Sequence, residues 1–183
     1  MTKVITRHNI GQAGEYLVAS ELARRGFTVA LPTGNAESID ILVYGYGRSF
    51  AVQVKSVSGG VHQFNLGKFI DVVFEDDGRQ SVKGARKDLD RNIYLVLVYI
   101  GEKPGNDEFL CTTAGDLADY LAKAHKSYLD NYGGRRPGSN PKSLHCAIKK
   151  EHFKEGLRHV SLEKALENWT SMDPTTNLPT GPN

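Results

Sequence analysis

The sequence predicts a mixed α/β (α+β) fold, a mixed central sheet flanked by helices, and three features carry that prediction. Residues 38–56, SIDILVYGYGRSFAVQVKS, alternate apolar and polar side chains on both sides of a Gly-rich turn, the pattern of a hairpin with one buried face. Residues 93–100, IYLVLVYI, are continuously apolar, as expected of a strand covered on both faces and hence central in its sheet. Two further segments repeat apolar residues at helical spacing: Ile10, Gly14, Leu17, Val18 and Leu22 in one, Leu117, Tyr120, Leu121, Ala124 and Tyr128 in the other.

In chain order, Asn9 is a candidate N-cap for a helix over 10–25 that Gly26 stops. A short strand over 27–31 follows, then a loop, then the hairpin. With Gly45, Tyr46, Gly47 and Arg48 as the turn and Tyr44 opposite Ser49, the same register sets Asp40 against Gln53. After Gly59 and Gly60, residues 61–74 read as further strand, ended by the acidic turn at Glu75, Asp76 and Asp77. Residues 83–91 form either a polar helix or a loop. The central strand at 93–100 turns at Pro104 and Gly105 and returns over 108–112. Thr113 caps the helix over 114–130, and a Gly/Pro-rich basic loop runs from 131 to 143. A short strand is expected at 144–148, a last helix from Ser161 with Leu162, Ala165, Leu166 and Trp169 on one face, and a disordered tail at 173–183. The expected division is a core at 1–130, an extension at 131–172 and that tail.

Composition narrows the function classes. A chain of 183 residues can hold one full core, and a net charge of +2 means that any basic surface must be local. Two cysteines, Cys111 and Cys146, cannot build a disulfide framework and lack metal-ligand spacing. No apolar run has the length of a signal peptide or a membrane span, so a cytoplasmic location without membrane association is expected. No nucleotide- or cofactor-binding motif is present: Gly45 and Gly47 sit in a hairpin turn, with no helix behind them to cradle a phosphate.

The hairpin concentrates the chemistry. Directly opposed side chains share a face at roughly 5 Å between Cβ atoms, so Asp40 and Gln53 belong together. Lys55, two residues on, projects from the same face. Ile39, Ile41 and Val43 with Phe50, Val52 and Val54 make the opposite, apolar face. Glu15 lies at the margin of the first helix's apolar arc and can look toward the sheet edge. Glu21 is its rival, unless it pairs with Arg24 or Arg25.

Glu15 in a helix ending at Gly26, then Asp40, then Gln53-Val54-Lys55, resembles the PD-(D/E)XK nuclease superfamily. The segments GEYLVASELARRGF, SIDILV and FAVQVKS are similar to archaeal Holliday-junction resolvases and to small prokaryotic endonuclease-like proteins of that superfamily. The match covers about the first third of the chain. It implies a restriction-endonuclease-like αβββαβ core and a divalent-metal-dependent endonuclease that hydrolyses DNA phosphodiester bonds. It also implies Mg²⁺ (or Mn²⁺) held by Glu15, Asp40, Gln53 and the carbonyl of Val54, with Lys55 as the catalytic cation beside Asp40, Gln53 and Glu15. Two positions depart from the family pattern: Gln53 stands where an acid is usual, and Ile39 where a proline is usual. The first removes one negative charge and leaves open a second reading, a catalytically inactive nucleic-acid-binding or interaction module on the same fold.

Arg135, Arg136 and Lys142 are candidate contacts to DNA phosphates, weighed against a plain solvated loop. Tyr44 and Tyr46 are expected to cover a sheet edge rather than stack on bases. Of the six histidines, none with metal-ligand spacing, His8 is the one expected near the site. Analogy with enzymes that cut both strands makes a homodimer an expectation.

Overall fold

A computed structural model of the chain describes residues 6–32, 39–138, 140–161 and 164. The elements run α1 (Arg7–Arg24), β1 (Thr28–Ala30), β2 (Ile41–Gly45), β3 (Arg48–Val57), β4 (Val61–Asn65), a 3₁₀ turn (Leu66–Lys68), β5 (Ile70–Phe74), β6 (Gln80–Ala85), β7 (Tyr94–Tyr99), β8 (Glu108–Thr113), α2 (Ala114–Asp130), β9 (His145–Lys149), α3 (Lys150–Gly156) and β10 (Val160–Ser161). They form two compact units that interleave along the chain: residues 1–60, 93–112 and 158–183 in one, 61–92 and 113–157 in the other. The helix expected beyond Ser161 and the tail at 173–183 lie outside the described residues.

The first unit is built on a six-stranded sheet in the order β1-β2-β3-β7-β8-β10. β1, β2 and β3 are antiparallel to their neighbours, whereas β3 and β7 are parallel, so the sheet is mixed. β7 lies between β3 and β8, and Leu95, Val96, Leu97 and Val98 are fully buried, as the apolar run at 93–100 requires. One face of the sheet packs on α1: Val18, Ala19 and Leu22 meet Ile41, Val43, Val52, Val54, Val96 and Val98 in one core.

α1 starts three residues earlier than expected. Thr6, not Asn9, is the N-cap, its hydroxyl accepting from the Asn9 N–H at 3.2 Å. Both are capping residue types, and Thr6 also donates to Asn9 Oδ1 at 2.7 Å, so the earlier cap satisfies both side chains. The hairpin turn is tighter than expected too: Gly45 pairs with Arg48, leaving only Tyr46 and Gly47 in the turn. Both have positive φ (53° and 76°), the two-residue geometry whose twist matches that of the flanking strands.

In the second unit β4 pairs with β9 and β5 with β6, both antiparallel, and α2 packs on β5 and β6. The single strand expected at 61–74 is therefore two, divided by the 3₁₀ turn that the Asn65 side chain caps by accepting from the Gly67 N–H. The start of the polar stretch at 83–91 is strand rather than helix. Thr113 caps α2 as expected, accepting from the Asp116 N–H at 3.0 Å. Phe153 of α3 is fully buried, edge-on to Phe64. Among the described residues no helix is long and apolar enough to cross a membrane.

Candidate active site

Ladder pairs Ile41–Val52, Leu42–Ala51, Val43–Phe50 and Tyr44–Ser49 establish the register read from the sequence, in which the next pair would be Asp40 and Gln53. Asp40 itself stands at a bend just before β2. Its N–H donates to the Val52 carbonyl at 3.0 Å, while its carboxylate Oδ2 accepts from the Val54 N–H at 2.7 Å. The side chain thus takes over a backbone partner that a longer β2 would have supplied. That bond fixes the carboxyl group at the end of the hairpin, and a carboxylate has acceptor capacity for further partners. Val54, expected to act through its carbonyl, contributes its N–H to Asp40. Gln53 and Lys55 are half-buried and lie on the face of β3 away from the α1 core, beside Leu95 and Leu97 of β7.

Glu15 reaches this end of the hairpin because α1 lies very close to β3. A Cβ at Gly14 would fall 1.7 Å from Ser56 Oγ and 2.7 Å from Ser56 Cβ, so only glycine permits this approach. Glu15, the next residue, sits at the margin of the buried arc. Its carboxyl titrates above the usual carboxylate range, pushed up first by burial and then by the charge of Asp40, and pulled back by His8 and Lys55. Glu15, Asp40 and Lys55 are therefore within electrostatic reach of one another. His8, in the first turn of α1 and two turns before Glu15, joins them as expected. Glu21 does not: it pairs with Arg25, and with Arg24 at 3.8 Å.

The candidate phosphate contacts belong to the other unit. Arg135 and Lys142 are exposed, and Arg135 lies close enough to Asp77 to help hold its carboxyl below the usual range. Arg136 packs over the Tyr128 ring at 5.8 Å and donates to the Ser143 carbonyl at 3.5 Å, which ties the basic loop to α2. The structure thus groups Glu15, Asp40, Gln53 and Lys55 in one unit and Arg135, Arg136 and Lys142 in another.

A family model described as PD-(D/E)XK endonuclease matches residues 5–120, which span α1, the hairpin and both central strands. The chain belongs to the PD-(D/E)XK endonuclease family. No curated protein and no solved structure gives a match. Family membership makes the mixed sheet with its flanking helices a restriction-endonuclease-like fold and implies a nuclease with a nucleic acid as substrate. PD-(D/E)XK nucleases generally use divalent metals, and the donors of this chain fit one. Two carboxylates that raise one another's proton affinity, with a side-chain amide alongside, are hard oxygen donors whose repulsion a divalent cation would reverse. Among the described residues no cluster of three or more His, Cys, Asp or Glu has metal-binding geometry, in keeping with an amide at position 53.

Proposed function

We propose that the chain is a divalent-metal-dependent endonuclease that hydrolyses DNA phosphodiester bonds. The observation that carries this reading is the electrostatic contact of Glu15 with both Asp40 and Lys55, which joins a helix acid, a strand acid and a strand cation at one end of the β2–β3 hairpin. Glu15 and Asp40 would hold Mg²⁺ or Mn²⁺, with the Gln53 amide oxygen and the Val54 carbonyl as weaker ligands. When bound, the ion lowers the pKa of a coordinated water and offsets charge on the phosphate oxygens. The rest falls to the protein. The Val54 N–H holds Asp40 in one orientation, so little reorganisation is needed at the moment of reaction. Lys55 offers a positive charge to the developing phosphorane without first giving up its proton. Gln53 contributes an oxygen but no charge, so metal affinity is lower than an acid at that position would give. Arg135, Arg136 and Lys142 are the proposed phosphate contacts of the second unit, and a homodimer would suit cleavage of two strands.

Nicking of supercoiled plasmid DNA with Mg²⁺ or Mn²⁺ tests the proposal. Asp40→Asn keeps an acceptor for the Val54 N–H and hence the fold. It should lower the rate by roughly 100-fold or more, as should Lys55→Ala. Cleavage that persists in both variants overturns the assignment. DNA binding without cutting by the wild-type protein would replace it with the inactive binding module.

A further inference from the structure

β2 carries its functional acid on an otherwise apolar ridge. Its alternation buries Ile41 and Val43 against α1 and turns Leu42 and Tyr44 to the opposite face, where they are 48% and 55% exposed. Asp40 precedes them in the same alternation. On either side the strands offer only small residues: Leu42 lies between Ala30 of β1 and Ala51 of β3, and Tyr44 between Thr28 and Ser49. Two large side chains therefore stand above a low floor, in line with Asp40. Tyr44 is about 13 Å along the strand from that acid, four residues at roughly 3.3 Å each. Tyr46, equally exposed, is accounted for by the fold: its ring meets Phe27 edge-on at 5.2 Å and its hydroxyl donates to the Arg25 carbonyl. Neither contact exists for a residue on the open face of β2.

We infer that Leu42 and Tyr44 form a stacking ridge for unpaired bases of the substrate strand, two or three nucleotides from the phosphate held at Asp40 and Lys55. The inference rests on the nuclease reading and adds the substrate class: DNA with single-stranded character. Chemistry separates this occupant from its rivals. Duplex DNA presents phosphates outward, and a surface that binds it needs cations, whereas Thr28, Ala30, Leu42, Tyr44, Ser49 and Ala51 carry no charge. Unpaired bases expose their faces, and aromatic side chains take them up with little regard to sequence. A second copy of the chain would need about 800 Å² on each partner, far more than two side chains on a floor of Ala, Ser and Thr supply.

The test is fluorescence anisotropy of a labelled single-stranded oligodeoxynucleotide and of its duplex, with the full chain in Ca²⁺. The single strand also carries 2-aminopurine at successive positions, whose quenching reports stacking. Tyr44→Ala should weaken single-strand binding about 10-fold and abolish the quenching, with duplex binding and the thermal midpoint unchanged. Tyr44→Phe should keep both, because the ring is what stacks. Equal single-strand affinity and quenching in wild type and Tyr44→Ala would overturn the ridge. The nuclease reading would survive that result if the wild type still cuts and Asp40→Asn does not. A wild-type protein that dimerises, and that Leu42→Asp turns into a monomer without loss of single-strand binding, would assign the ridge to self-association and also overturn it.

Discussion

Replacement of Gly14 by Ala should damage catalysis far more than stability. The new Cβ would lie 1.7 Å from Ser56 Oγ and 2.7 Å from Ser56 Cβ, with Val54 Cγ1 at an ordinary 3.5 Å. Rotation of the Ser56 hydroxyl removes the first clash but not the second. To bring the two Cβ atoms to a tolerable 3.4 Å, α1 has to withdraw from β3 by about 0.7 Å. Overpacking of this kind costs about 1–3 kcal/mol, and the better helix propensity of Ala returns up to about 1 kcal/mol. The net loss, about 1 kcal/mol, corresponds to a melting shift of roughly 2–4 °C for a chain of this size. Glu15 is the adjacent residue and moves with the helix. A displacement near 1 Å at a reacting centre costs up to roughly 100-fold in rate. The assay pairs differential scanning calorimetry with plasmid nicking on Gly14→Ala, Ser56→Ala, Ser56→Gly and the double variants. Ser56→Gly removes both clashing atoms and should restore cleavage to Gly14→Ala, whereas Ser56→Ala leaves the Cβ and should not. Wild-type cleavage in Gly14→Ala, or equal rescue by the two Ser56 variants, would refute the close-approach argument.

Two predictions concern protonation. Because burial and Asp40 raise the pKa of Glu15, its contribution to stability is complete below the usual carboxylate value of 4.5 and is lost as pH rises through the raised one. In EDTA at neutral pH, Glu15→Gln should therefore melt slightly higher than wild type, with the difference gone near pH 4, even as Mn²⁺ binding by calorimetry is lost; a lower melting point at pH 7 would contradict the placement of Glu15. In the second unit, buried His125 bonds to Gln80 Oε1 at 2.8 Å, and burial, then Arg136, push its pKa below the usual 6.5. The neutral ring is favoured in the fold, so this contribution is present above pH 6.5 and falls as pH drops toward the lowered value. Hydrogen exchange at pH 5.5 should accelerate in α2 and the 131–143 segment of the wild type but not of His125→Phe; equal acceleration in both would show that another group is responsible.

What the sequence made legible was whatever a single periodicity encodes. The hairpin register followed from alternation alone, because a one-residue slip would have turned Ile41, Val43, Val52 and Val54 out of the core, and that register is what aligns Asp40 with Gln53 and Lys55. The central strand and α2 were legible for the same reason. The β4–β5 stretch was not, since a 3₁₀ turn of Leu, Gly and Lys interrupts an apolar run without Pro or an Asn-Gly pair to mark it. Nor did any pattern announce that residues 61–92 and 113–157 assemble apart from the sheet carrying the acids, because that depends on pairings between distant strands such as β4 with β9.

The site repeats that division between periodicity and contact. Side-chain types placed Glu15, Asp40 and Lys55 in one neighbourhood, yet the two contacts that hold the acids in place involve groups without chemistry of their own: the Val54 N–H on Asp40 and the bare Cα of Gly14 against Ser56. A glycine in the buried arc of a helix costs about 1 kcal/mol relative to Ala, and that cost is the one trace such a contact leaves in a sequence. Here it stands immediately before the acid it brings to the hairpin, so the residue that looks least functional in α1 decides whether the carboxylates meet.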